Sequence, residues 1–401
     1  MHCVRKITDD LYWVGANDRR LALFENIHPI PRGISYNSYL LLDEQTVLFD
    51  TADWAVCRQF LDNVESVLGD RKLDYLVVNH VEPDHSASLQ EILLRWPDVK
   101  IIGTAKAFTF LHQFGAKTEG HEDPVKEGDT RCFGHHTVKF LAAPMVHWPE
   151  VMVTFDQTNG VLFSADAFGS FAALDGKLFN DEVNYDRDWI DESRRYYTNI
   201  VGKYGMQVQS LLKKAAKLDI KMICPLHGLV WRSDIGYYLD KYDKWSRYEP
   251  EEKGVMIVYG SMYGDTENAA EALAARLVEQ GVKQVEMFDV SSTHVSYLIS
   301  ESFRLSHIVL ASVTYNLGIY PPMLGYLHDM KALNVQNRTF AVVENGSWAC
   351  TSGTLMTDFV TKEMKNCTVL PDRLSIRSSL GPDTEPQLDA FAAAIAQSVN
   401  G

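Results

Sequence analysis

Two consecutive α/β units are the fold the sequence predicts, and three features predict it. Apolar, strand-like runs across residues 1–250 repeatedly deliver His, Asp or Glu at their ends. A charged stretch carrying Pro250 then leads to a second series of runs, over residues 251–401, which end in small and hydroxyl residues. Segments of helical length lie between the runs, so each unit alternates strand with helix.

At 401 residues the chain is long enough for two full cores, and a hydrophobic fraction of 46% is ordinary for a globular protein. The formal charge of −15 argues against nucleic-acid phosphate and anionic lipid as partners. It suits a basic protein partner, or simply a solvated acidic surface. No apolar run has the length needed to cross a bilayer, and Met1-His2-Cys3-Val4-Arg5-Lys6 does not read as an export signal, so a cytoplasmic location is expected. The six cysteines, Cys3, Cys57, Cys132, Cys224, Cys350 and Cys367, form no Cys-x-x-Cys pair. Thiolate zinc, iron–sulfur and rubredoxin-like modules are therefore not encoded.

The first unit opens with strands expected at residues 11–14, 39–42 and 47–49, separated by polar and Gly/Pro turns as in an antiparallel sheet. Asp50 closes the third, ahead of a helix over 54–68. It reads either as the N-cap of that helix or as a buttress for the loop after the next strand. That strand, 73–78, runs into Asn79-His80-Val81-Glu82-Pro83-Asp84-His85-Ser86, which sets two imidazoles and two carboxylates within six residues. Helices over 87–95 and 105–114, with strands at 99–102 and 137–141, continue the alternation.

Histidine and carboxylate bind borderline transition metals without thiolate, and four such groups are too many for one open site fed from elsewhere. The alternative is a solvated loop in which Asp84 caps a helix. Three later strand ends favour metal: Met145-Val146-His147-Trp148, then Ala165-Asp166 after a strand at 161–164, then Pro225-Leu226-His227-Gly228. Taken singly, each is a satisfied histidine or a turn aspartate. Together the motifs hold four His, two Asp and one Glu, the number two metals need with three private ligands each and one bridging carboxylate.

In the second unit the strand at 255–259 leads into Ser261-Met262-Tyr263-Gly264-Asp265-Thr266 and a helix reaching about residue 280. Such a loop offers backbone amides and hydroxyls to an anion at the positive helix end. It carries no lysine, which excludes the Walker phosphate loop. Two more strand ends follow: Ser312-Val313-Thr314-Tyr315-Asn316-Leu317-Gly318 after 307–311, and Asn345-Gly346-Ser347-Trp348-Ala349 after 339–343. With strands near 285–288 and 368–370 they complete a five-stranded, doubly wound parallel sheet, whose ligand sits over the carboxyl ends. Tyr315 or Trp348 could stack on a planar ligand.

The order His-x-Glu-x-Asp-His, His-Trp-Pro, a strand-terminal Asp and Pro-x-His-Gly resembles the metallo-β-lactamase fold in its flavodiiron branch, and the second unit resembles flavodoxin. The resemblance implies an αββα sandwich over residues 1–250 and a flavodoxin-like FMN-binding domain over 251–401. It implies one iron on His80, Glu82 and His147, another on Asp84, His85 and His227, and Asp166 bridging them. The three hydroxyl-rich loops would then hold FMN. Hydrolases of this fold usually carry His where this chain has Glu82, and a harder oxygen ligand favours iron over zinc. Tyr197 is expected either to donate a hydrogen bond or proton to the metal pocket or to pack in the core, and Trp148 either to wall the pocket or to fill the core. The family often shows a His ahead of Gly33-Ile34-Ser35-Tyr36-Asn37; this chain has Glu25 and His28 in that segment, and neither is assigned to the position. Cys350 stands where many members carry an aromatic residue.

Functionally, the resemblance implies an oxidoreductase that passes electrons through FMN to a non-haem diiron site and reduces dioxygen to water, nitric oxide to nitrous oxide, or both. A separate donor such as rubredoxin or a reductase would feed it, and nothing beyond the helix expected over 385–400 supplies one. The expected assembly is a head-to-tail homodimer or a dimer of dimers. The competing readings are a metallohydrolase with a flavodoxin-like electron-transfer appendage, and an electron carrier whose metal site is degenerate.

Overall fold

The computed structural model describes residues 2–401, which divide into two compact units, one up to Asp243 and the other Lys244–Gly401. The division falls within the helix Ile235–Ser246, slightly ahead of the expected boundary.

The first unit is built on two large sheets. One has seven strands, running from Arg5–Lys6 through Leu11–Trp13, Tyr39–Leu42, Thr46–Phe49, Tyr75–Val77 and Lys100–Thr104 to Glu122–Val125. Its strands pair antiparallel as far as Thr46–Phe49 and parallel beyond. The other has five: Thr130–Cys132, Thr137–Ala142, Met152–Asp156, Val161–Phe163 and Met222–Cys224. Strand Met152–Asp156 escapes the sequence reading because it is buried throughout yet carries Thr154 and Asp156, so it shows neither alternation nor an apolar run. Apolar residues of both sheets share one core. Phe49 stacks on Phe163 at 3.8 Å with Trp13, Val77, Phe140 and Met152 in the same cluster, a packing that fixes the two sheets face to face.

The helix expected over 54–68 begins as a short 3-10 turn, Trp54–Val56, before the α-helix Cys57–Leu68. Its cap is Asp53, whose carboxylate accepts from the Ala55 amide, so Asp50 is free for another role. The polar octapeptide is partly helical as well. Pro83–Ser86 forms one turn, with Glu82 at the N-cap and Pro83 at the first position. Residues 16–36 hold two small hairpins, Ala16–Asp18 with Ile34–Tyr36 and Leu23–Phe24 with His28–Pro29. Strands of two or three residues are too short to show a period, which is why the sequence suggests only turns there.

The second unit is a parallel sheet in the spatial order Val285–Asp289, Glu252–Gly260, Leu305–Tyr315, Thr339–Asn345, Thr368–Ile376. The short strand Gly318–Ile319 folds back antiparallel on the end of Leu305–Tyr315. Helices Asp265–Glu279 and Glu385–Asn400 contribute Leu273, Leu277, Phe391 and Ile395 to one core with Ile257, Val309 and Val343. This is the doubly wound flavodoxin-like order, with the loops at the carboxyl strand ends gathered around the first strand. Among the described residues, no helix is long and apolar enough to cross a membrane.

Candidate functional site

The seven residues singled out in the first unit converge into two adjoining groups, His80, Glu82, His147 and Asp166 in one and Asp84, His85 and His227 in the other. In the first, His80 Nε2 and His147 Nε2 each lie 3.1 Å from Glu82 Oε2, and they lie 3.3 and 3.1 Å from Asp166 Oδ2. In the second, His85 Nε2 and His227 Nε2 each lie 3.3 Å from Asp84 Oδ2 and 3.1 Å from each other. Asp166 turns its second oxygen there, with Oδ1 3.2 Å from His85 Nε2 and 3.6 Å from His227 Nε2.

These spacings fit metal. Neighbouring ligands at bonds of about 2.1 Å lie roughly 3.0–3.4 Å apart around one ion. Both oxygens of Asp84, and Asp166 Oδ1, are buried without a hydrogen-bond donor, a costly state that a cation relieves. Burial works against charge on His80, Glu82, His85, His147 and Asp166, yet mutual attraction outweighs it. The carboxylates raise His80, His85 and His147, the last to about 9, while the imidazoles lower Glu82 and Asp166. A metal entering such a site displaces protons from the histidines.

A supporting shell aims the ligands. His80 Nδ1 meets Glu150 Oε1 at 2.7 Å, and His227 Nδ1 meets the Ser35 carbonyl at 2.7 Å, leaving both Nε2 atoms for metal. Asn37 donates to the carbonyls of Pro225 and Gly228, and Tyr39 donates to Pro225, which fixes the loop on either side of His227. Asp50 lies under the octapeptide. It accepts from the Asn79 amide and side chain, both at 2.7 Å, and from the His80 amide at 3.3 Å. Of its two expected roles, the structure places it in the buttress. Burial raises its carboxyl to about 6 against the Asn79 hydrogen bonds.

Trp148 presents its edge to His80 at 5.4 Å, with Phe110 and Phe114 behind it. Of the two alternatives for Tyr197, its ring packs on Tyr242 at 4.9 Å, while Tyr196, Phe24 and Tyr36 stand 5.4, 5.4 and 5.7 Å from His227. The helix Ile190–Tyr196 loosens into a wider π turn at Tyr197, so the phase of two adjacent tyrosines was not readable from their spacing. The Tyr196 hydroxyl is buried without a partner, and burial together with Asp166 and Asp84 keeps it protonated. Glu25, on the left-handed tip of the Leu23–Pro29 hairpin, faces Glu82; burial and that neighbouring charge raise its pKa to about 7. His28 lies against Phe171 instead.

In the second unit the three loops enclose a cleft of about 400 Å³. Its lining includes Ser261, Met262, Tyr263, Asp265 and Thr266, then Val313, Thr314, Tyr315 and Asn316, then Asn345, Gly346, Ser347, Trp348 and Ala349. Three expected residues are not in the lining. Gly264 adopts φ +97 to start the helix, Ser312 is buried with its hydroxyl on the Val313 carbonyl, and Gly318 lies in the folded-back strand. Leu317, from within the second loop, and Ser378, which no motif announces, join the lining. A Cβ on Gly346 would stand 2.0 Å from the Ala349 carbonyl oxygen, so only glycine makes that turn. The cleft suits a flat anionic cofactor. It combines hydroxyls, a helix N-terminus, the largely exposed rings of Tyr263 and Trp348, and a buried Asn345 Oδ1 that lacks a donor.

Two family models match in succession, one described as ODP family beta lactamase over residues 34–228 and one as flavodoxin over residues 257–366. The anaerobic nitric oxide reductase flavorubredoxin of Escherichia coli is 31% identical over 348 residues, covering 86% of this chain and 72% of that protein. The rubredoxin:oxygen oxidoreductase of Desulfovibrio gigas superposes with a TM-score of 0.91 at 29% identity, covering 99% of this chain and 98% of that one. A variant of the flavo di-iron protein of Thermotoga maritima gives 0.89 at 26% identity, with the same coverage. With both domain types in this order, and kinship of this degree over most of its length, the chain belongs to the flavodiiron family of oxidoreductases, whose cofactors are FMN and a non-haem diiron centre.

Proposed function

We propose that this protein reduces dioxygen, nitric oxide, or both at a diiron site held by His80, Glu82 and His147 on one side, Asp84, His85 and His227 on the other, and Asp166 between. The observation carrying this reading is Asp166, whose Oδ2 faces the first group and Oδ1 the second. A single carboxylate shared in this way would place two metals side by side, able together to supply two electrons, enough for two nitric oxides to nitrous oxide; dioxygen to water takes four, the other two coming from reduced FMN. The diiron centre, when bound, polarises the gas and delivers electrons to it.

The chain's own residues do the rest. Glu150 and Ser35 orient the imidazoles, Asp50 holds the loop, and Trp148 with Phe110 and Phe114 shields the His80 side from water. The Tyr196 hydroxyl can donate a hydrogen bond to charge developing in the pocket. The cleft of the second unit would hold FMN through Ser261, Thr266, Asn345 and Ser347, with Tyr315 and Trp348 available to stack on a planar ring.

The name of the Escherichia coli relative supports nitric oxide as a substrate, and that of the Desulfovibrio gigas relative supports dioxygen with rubredoxin as the donor; here the donor is proposed to be a separate protein. A head-to-tail homodimer is part of the proposal; the exposed Tyr263, Leu317 and Trp348 at the cleft support an apolar partner surface there. The test is anaerobic reduction of iron-replete, FMN-loaded protein, followed by timed exposure to each gas with product analysis. Flavin reoxidation far faster than that of free FMN, with water or nitrous oxide formed, is expected. Reoxidation no faster than that of free flavin with both gases overturns the proposal.

A further inference from the structure

We propose that Ser378, in the turn after the last strand, contacts the ribityl-phosphate end of the flavin nucleotide and helps this cleft prefer FMN over flavin without phosphate. The inference rests on the FMN reading of the cleft and adds a fourth loop to the three that hold it.

Ser378 lines the cleft although it lies 29 residues beyond the end of the Asn345–Ala349 loop. Its hydroxyl donates to Ser347 Oγ at 2.8 Å, and its carbonyl accepts from Asn345 Nδ2 at 2.9 Å. The same Asn345 Nδ2 donates to Thr266 Oγ1 at 3.2 Å. Through Asn345, then, Ser378 sits beside the first turn of helix Asp265–Glu279, whose positive end is where an anion belongs. No lysine or arginine lines the cleft, so a phosphate there must be held by hydroxyls, amides and the helix end. Each hydroxyl on that side therefore matters.

Asn345 Oδ1 marks the boundary between the two halves of the ligand. It is buried and lacks a donor, and a sugar-alcohol hydroxyl can supply one whereas a phosphate dianion cannot. The ribityl chain thus passes Asn345, and Thr266 and Ser378, which share the Asn345 Nδ2 donor, face the phosphate, Ser378 by turning its hydroxyl from Ser347 to the anion. Ser378 also keeps a left-handed backbone, φ +68, that glycine would adopt without strain. Serine there retains a hydroxyl at a conformational cost, as functional positions often do.

The experiment strips the flavin and titrates the otherwise intact protein with FMN and with riboflavin, following fluorescence quenching. Two variants separate role from fold. Ser378→Gly removes the hydroxyl while relaxing the backbone, and Ser378→Asp adds a charge at a φ that Asp tolerates. Ser378→Gly is expected to weaken FMN by about 3–10-fold, the size of one lost hydrogen bond to a charged group, and to leave riboflavin unchanged. Ser378→Asp is expected to weaken FMN by at least about tenfold through like-charge repulsion, with riboflavin within roughly twofold of wild type. Equal losses for the two ligands, or no loss for FMN, overturn the assignment. A wild-type protein that takes up neither flavin overturns the FMN reading, and this assignment with it.

Discussion

Nδ1 of His80 lies 2.7 Å from Oε1 of the fully buried Glu150 carboxylate, which also accepts from the Val81 amide at 3.2 Å. That contact fixes the tautomer, so His80 presents Nε2 to Glu82 and Asp166. Supporting carboxylates of this kind typically tune metal affinity by about 10–100-fold. Glu150→Leu is therefore expected to lower iron affinity by about that factor, whereas Glu150→Gln, which keeps an acceptor, should lose much less. Chelator competition against both variants measures it. Equal affinities for Glu150→Leu and wild type would show that the imidazole is held by something else.

Asp50 offers a second check, on stability. Its two oxygens accept three donors from Asn79 and His80. Asn79 cannot flip to rescue a mutant, because its Oδ1 accepts from Thr154 Oγ1 at 2.7 Å. Asp50→Asn sets an amide donor against the Asn79 amide, and should cost about 1–3 kcal/mol of stability. Denaturant unfolding of metal-free protein compares it with wild type; a difference within error would contradict the buttress.

The account also predicts a pH dependence away from the metal site. His136, buried, has Asp156 Oδ2 at 2.8 Å from Nδ1 and Asp10 Oδ2 at 2.9 Å from Nε2. The hydrogen bond to Asp156 outweighs burial and, with Asp10, raises the imidazole to about 9. A raised histidine contributes stability that is complete below its unfolded pKa of about 6.5 and fades as pH climbs through the folded value. Allowing for the partly exposed Asp10, that contribution is roughly 2–3 kcal/mol. His136→Gln should thus be clearly less stable than wild type at pH 6 and much closer to it above pH 9.5, by thermal unfolding. A gap that does not narrow with pH would mean that packing, not charge, is what His136 supplies.

Much of the site was legible in the sequence because each of its ligands follows an apolar run, and a strand that ends at a sheet edge must hand its next polar residue to a loop. Other parts were not legible. Glu150 and Ser35 act through one atom each and carry no periodic signal. Tyr196 and Tyr197 are adjacent, and their spacing alone does not set which one turns toward His227. Glu25 reaches Glu82 from a hairpin whose strands are two residues long, below any detectable alternation. Ser378 comes to its cleft through a left-handed turn that serine rarely makes and that no motif announces. In the fold, Met152–Asp156 was hidden for the related reason that its polar residues are buried.

Glu82 separates this site from its hydrolytic cousins, and Glu82→His tests that view. The substitution removes the negative oxygen that lies 3.1 Å from both His80 and His147. Iron occupancy should fall and gas reduction should be lost, with zinc bound in preference when both are supplied. A variant that keeps full iron occupancy and gas reduction would show that Glu82 has been given too much weight.

The most direct test of the whole account is the metal and flavin content of the purified wild-type protein, grown with iron and zinc both available. Two irons and one FMN per chain are expected, with the iron pair coupled magnetically through its shared carboxylate. Zinc at the His80–His227 site and no bound flavin would contradict it and favour a metallohydrolase with a flavodoxin-like appendage.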